Sequence, residues 1–167
     1  MTVNVADMPV DFLSLTGHKF HAPQGAGALY SRERFQLAPF MFGGFQEEGF
    51  RPGTENVPGI AGLGTAARLR HENLSSCIEH MEKLRDKFEE SVLAEIPGTS
   101  VNGDRANRIC NTTNIHFGGT DGRVMVRELD AAGVRCSQSS ACTNFEVAPS
   151  YVLRAMGLSE KEAYSSI

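Results

Sequence analysis

Leu74, Cys77, Ile78, Met81, Leu84, Phe88 and Val92 recur at helical spacing, and this stripe constrains the fold more than any other feature of the chain. Such spacing gathers apolar side chains on one side of an α-helix. It predicts a helix from about Leu74 to Ile96, with Glu79 and Lys83 one turn apart in the favourable order and Pro97–Gly98 as the stop. Small residues from Ile60 to Arg70 predict a second, closely packed helix just before it. Further upstream, Val10–Leu15 reads as a short buried strand stopping at Thr16–Gly17, and Gly25–Tyr30 as another strand. Downstream, Thr113–Phe117 alternates like a strand and Arg123–Ala132 reads as a helix capped by Gly133. Val134–Cys136 is expected to be one more short strand. Pro149–Met156 is expected to be a helix, with proline in its first turn and Gly157 beyond its end. The alternation implies α/β or α+β architecture, with a boundary near residues 71 to 76.

Between the early strands and the helices lies Phe40–Gly59, which holds five glycines and two prolines with little periodicity. It is expected to be a loop, and a loop of that length inside a compact protein is usually functional or disordered. Composition excludes several classes. With 41% hydrophobic and 22% charged residues, the chain reads as globular. A net charge of -4 with no basic run gives no reason to expect nucleic acid or an anionic membrane as partner. No apolar stretch approaches the length of a transmembrane span, and the first twenty residues lack a secretory core. The four cysteines, Cys77, Cys110, Cys136 and Cys142, are too sparse for a disulfide scaffold, so reduced thiols in the cytoplasm are expected. Cys77 and His80 lack a second pair of ligands at matching spacing, so no metal site is expected.

Thr16–Gly17–His18–Lys19 follows a predicted strand and turn, which can hold a lysine amine rigidly in a cleft. Most lysines are merely solvated, and His18 alone could be a surface or core residue. Gly25-x-Gly27 lacks the third glycine of a dinucleotide fingerprint, and no Gly-Lys-Ser/Thr follows to make a phosphate loop. Cys142 sits among Ser137, Gln138, Ser139, Ser140 and Thr143. A free cysteine is often simply buried, but this polar setting favours exposure. Cys77 lies on the apolar stripe and is expected in the core.

Several segments carry a resemblance when taken in order. They are Thr16–Tyr30, Gly43–Glu47, Arg51–Asn56, Asn111–Ile115, Cys136–Thr143 and Pro149–Gly157. Together they resemble the pyridoxal-phosphate (PLP) cysteine desulfurases of iron–sulfur cluster assembly and nitrogen fixation, over essentially the whole chain. The family often has Gly-Pro-Lys-Gly where this chain has Ala22–Gly25, and a third glycine where Phe45 stands. Those departures leave loop conformation and surface charge open.

The resemblance implies part of an aspartate aminotransferase-like α/β fold. Residues 1–73 would be the end of the PLP-binding large domain, and 74–167 an α+β small domain. It implies that Lys19 carries PLP, that Thr16 and His18 contact the cofactor phosphate, and that Cys142 is the nucleophile on a mobile loop. Thr54 matches a threonine reaching the phosphate of the neighbouring subunit's cofactor, which implies a homodimer. L-cysteine would be the substrate. Lys19 would shuttle protons at its α-carbon, and Cys142 as thiolate would take its sulfur as a persulfide, releasing alanine. The sulfur would pass to an acceptor, such as an iron–sulfur scaffold protein. A selenocysteine lyase or another PLP transferase would keep the same lysine, and the Ser139–Thr143 loop favours the desulfurase. In the family, residues that stack on the PLP ring and pair with its nitrogen lie upstream of this chain's start. An arginine that binds the substrate carboxylate lies beyond Ile167. The isolated polypeptide is therefore expected to have little or no activity, or to act as a non-catalytic, dimerising module.

Overall fold

The computed structural model describes residues 3–33, 37–139 and 148–167. They form two compact units, divided between Ser76 and Cys77.

In the first unit, β1 (Phe12–Thr16) and β2 (Gly27–Ser31) pair antiparallel, from Phe12 opposite Ser31 to Thr16 opposite Gly27. Both expected strands form, each lying slightly further along the chain than the apolar runs suggest, but β1 is not buried as expected: Phe12 and Leu15 are 44% and 41% exposed, because β2 is its one partner among the described residues. One reason is Arg32. Its backbone N–H reaches the Asp11 carbonyl, while Nε donates to Val10 and Nη2 to Val5 and Met8 carbonyls, so the incoming chain is gathered before pairing starts. Loop follows as expected, apart from a short 3-10 turn at Gln46–Gly49. Helix α1 (Val57–Glu72) starts a turn earlier than Ile60, because Asn56 caps it by accepting the Gly59 N–H at 3.1 Å and Pro58 suits its first turn. Its small residues decide the packing. A Cβ on Gly62 would lie 2.6 Å from Pro23 Cγ, so the helix backbone rests directly on the β1–β2 connection.

Helix α2 (Leu74–Glu95) matches the expected span, but its buried side differs from the apolar stripe. Leu84 and Phe88 are 57% and 52% exposed, Cys77 is only half-buried, and the one fully buried residue is Glu89. At roughly 100° per residue, Ile78, Arg85, Glu89 and Val92 share one side of the helix, with Leu84 and Phe88 on its flank. Glu89 accepts from Arg108 Nη1 at 2.5 Å and Nη2 at 2.7 Å, and from Thr113 Oγ1 at 2.5 Å. A buried carboxylate needs such partners. The Arg108 guanidinium holds its pKa below the usual carboxylate range, against the opposing effect of burial. Thus a polar cluster, rather than the full stripe, docks the 102–113 segment on α2.

Strands β3 (Thr99–Val101) and β4 (Ile115–Phe117) pair antiparallel, with Val101 opposite Ile115. The terminal residues Ser165–Ile167 lie along the other edge of β4, where Ile115 and Ile167 exchange both backbone bonds and Phe117 N–H reaches Ser165 O. Asn102 joins the three lines, donating to Asn114 Oδ1 at 2.7 Å and Ser166 Oγ at 3.0 Å. Ile115 is buried here; Leu153 and Ala163 are the core residues of α4 (Tyr151–Ala155) and α5 (Glu160–Tyr164). Helix α3 (Gly122–Ala131) is capped by Asp121, and Gly133 takes the left-handed conformation expected of it.

Two further expectations need correction, and β3 and α5 form where the sequence raised none. Val134–Cys136 is not a strand, since no segment among the described residues pairs with it. Pro149 lies outside α4, whose cap is Ser150.

Candidate active site

Thr16 ends β1, and Gly17–Phe20 form a single 3-10 turn immediately after it. That turn is built with little freedom. The Gly17 N–H bonds to Ala26 O at 2.9 Å, and its carbonyl receives the Ala22 N–H at 3.1 Å and the His21 N–H. A Cβ on Gly17 would meet Ala22 Cβ and Leu63 Cδ1 at 2.8 Å, so only glycine lets β1, β2 and α1 converge here. His21 closes the turn in the left-handed region at φ 72, a conformation that non-glycine residues adopt only where surroundings enforce it. Lys19 stands exposed on this rigid support, with no carboxylate partner among the described residues.

Thr16 Oγ1 and His18 Nδ1 lie 3.0 Å apart. Their bond leaves a donor free in either tautomer. If the hydroxyl donates to Nδ1, Nε2–H points outward; if Nδ1–H donates, the hydroxyl proton is available. Either arrangement suits an anion such as a phosphate beside the lysine amine. Thr16, His18 and Lys19 are therefore brought together on one turn, and this donor set fits the PLP that the resemblance implies.

Thr54 belongs to the same unit but to a different loop, and it is exposed. No hydrogen bond among the described residues links it to the lysine turn. The Phe45 departure from the family pattern fits without strain, since its φ is -93. Cys142 lies outside the described residues. The segment leading toward it is anchored at Gln138, whose Nε2 donates to Tyr164 O at 2.6 Å. Cys110 is buried and Cys136 exposed.

Sequence reasoning missed the polar residues that hold these loops, namely Arg32, Gln46, Glu89 and Gln138. Only Glu89 left a trace, as a charge one turn after Arg85 on an otherwise apolar side of α2. Among the described residues, no group of histidine, cysteine or acidic side chains is arranged to hold a metal, and no helix is long and apolar enough to cross a membrane.

Residues 1–160 match the aminotransferase class-V family model. The chain belongs to that family, which is PLP-dependent, and its mixed strands and helices are part of that α/β fold. It is 46% identical over 99% of its length to a protein named cysteine desulfurase from Nostoc sp., and 43% identical over the same share to another so named from Gluconacetobacter diazotrophicus. A solved structure of a NifS-like protein from Rickettsia africae superposes with a TM-score of 0.84 at 35% identity, covering 98% of this chain and 42% of that one. The chain spans 41% of the length of the curated relatives it matches.

Proposed function

We propose that this chain carries the cofactor lysine and the sulfur-accepting cysteine of a PLP-dependent cysteine desulfurase. The observation that supports it most is the Thr16–Lys19 segment, where an exposed lysine follows a hydrogen-bonded hydroxyl–imidazole pair on a turn that admits only glycine at position 17. The 46% identity to a cysteine desulfurase along nearly the whole chain supports the choice among PLP chemistries.

In this reading, residues 1–73 belong to the cofactor-binding domain and 74–167 to the small domain. Lys19 would hold PLP through its amine, and Thr16 and His18 would hold the phosphate through the free donor described above. When bound, PLP would supply an electron sink that labilises bonds around the substrate's α-carbon. The Lys19 amine would move the proton at that carbon of L-cysteine. Cys142 acts as thiolate on the substrate sulfur: the carbon–sulfur bond breaks, a sulfur–sulfur bond forms on Cys142, and the carbon fragment is protonated and leaves as alanine. A thiol of ordinary pKa, about 8.5, is a few per cent ionised at neutral pH, which suffices for an intrinsically strong nucleophile. Thr54 reaches the cofactor phosphate of a second subunit in a homodimer. The persulfide passes to an acceptor protein in the cytoplasm.

The test is spectroscopic. Mixing the chain with PLP is expected to give a visible absorption band that Lys19→Ala abolishes, while persulfide formation on Cys142 from L-cysteine is expected to be weak or absent in the isolated chain. A stable dimer that takes up no PLP would overturn the reading in favour of a non-catalytic interaction module.

A further inference from the structure

The loop between β2 and α1 carries Thr54, and its shape depends on contacts that its glycine-rich sequence conceals. Gln46 is half-buried, as are Gly49, Phe50 and Pro52 further along the loop. Its Oε1 accepts the N–H of Gly53 at 3.1 Å, joining two points of the loop seven residues apart. Two glycines make room for this clasp. A Cβ on Gly44 would lie 2.3 Å from the same Oε1, and one on Gly43 would lie 2.9 Å from Pro52 Cβ.

Between the two ends, Glu47, Glu48 and Gly49 are all left-handed, at φ 48, 58 and 85, and reverse the chain. Consecutive non-glycine residues in that region persist only where the surroundings over-determine them. Gly53 itself is at φ 99, directly before Thr54. An acceptor aimed at the Gly53 N–H therefore fixes the Pro52–Gly53 peptide, one residue before Thr54.

We propose that Gln46 is a positioning residue for Thr54: its side-chain carbonyl fixes the Pro52–Gly53 peptide and, through Gly53 held at φ 99, presents the threonine hydroxyl to the PLP phosphate of the second subunit. The inference rests on the reading of Thr54 given under the proposed function. It does not make Gln46 a ligand of the cofactor. What the chemistry requires at position 46 is an acceptor of this length, which Glu also supplies and Ala does not.

Two measurements on the full chain test it. Backbone amide exchange at Gly53, followed by NMR without PLP, is expected to accelerate about fivefold in Gln46→Ala, the weight of one ordinary hydrogen bond. PLP affinity, titrated by absorbance, is expected to fall by about the same factor, with the thermal midpoint unchanged because the loop is exposed. Gln46→Glu is expected to restore both. Unchanged Gly53 exchange in Gln46→Ala would overturn the clasp. Faster exchange with unaltered PLP affinity would show a purely local role and overturn the positioning. Failure of the unsubstituted chain to take up PLP would instead sink the functional reading, while Gly53 exchange still decides whether the clasp exists.

Discussion

Replacing Glu89 by Ala removes the acceptor at the centre of the second unit's polar cluster. Glu89 is fully buried and Arg108 has 15% of its side chain exposed, so the substitution leaves a largely buried guanidinium with only the longer contact to Asp86, at 3.7 Å. Thr113 Oγ1 also loses its partner, and Arg105, 3.5 Å from the carboxylate, loses a weaker one. Breaking a buried pair from one side costs about 3–5 kcal/mol, mostly through the uncompensated charge left behind. For a chain of this size, that corresponds to a fall in Tm of roughly 6–20 °C. Urea unfolding followed by circular dichroism measures it directly. The companion variant Glu89→Leu/Arg108→Met separates the pair's own worth from the cost of stranding one member. Arg108 Nε is buried without a hydrogen-bond partner, so the ion pair is incompletely compensated even in the native protein. The double variant is therefore expected to lose far less than the two single changes summed. A Glu89→Ala cost below about 1 kcal/mol, or a double variant that loses the full sum, would refute the account.

Two further outcomes follow from the same structure. The pKa of Glu89 is lowered by folding, chiefly by the Arg108 hydrogen bonds, so its unfolded form binds the proton more tightly. Its contribution to stability is present above the unfolded value near 4.3 and is lost as pH falls through the lower folded value; acid titration of unfolding should show that loss, and Glu89→Gln should flatten it. Gly17→Ala forces a methyl within 3.0 Å of Ala22, Leu63 and the Ala26 carbonyl. It is expected to destabilise the first unit by about 1–3 kcal/mol and to weaken PLP uptake, whereas normal stability and uptake would show that the turn relaxes freely.

The candidate site was legible to unequal depths. Thr16–Lys19 could be read because a strand ending in Thr-Gly is a local signal, and the order of segments supplied the family. The glycine at 17 looked like a turn residue, yet its structural reason is the approach of Ala22, Ala26 and Leu63 from other parts of the unit. Thr54 could be assigned only by resemblance, and Gln46 not at all. Nothing local distinguishes a glutamine that clasps a peptide seven residues away from one that faces water. Ser159-x-x-Glu162 is a capping box visible in the sequence, and it caps the missed α5. β3 is three residues long, too short for alternation to register.

The chain's own pattern determined where the long helix runs, because helical periodicity and the Pro97–Gly98 stop act within a few residues. It also determined the two early strands and the position of the lysine after them. Tertiary structure decided which side of α2 is buried. Periodicity records where apolar residues lie, but burial depends on what another segment brings to the helix, and here Arg108 and Thr113 arrive to meet Glu89. The same reason governs the site: a residue's type can be read from one position, while its partners are chosen by chain segments that meet only on folding.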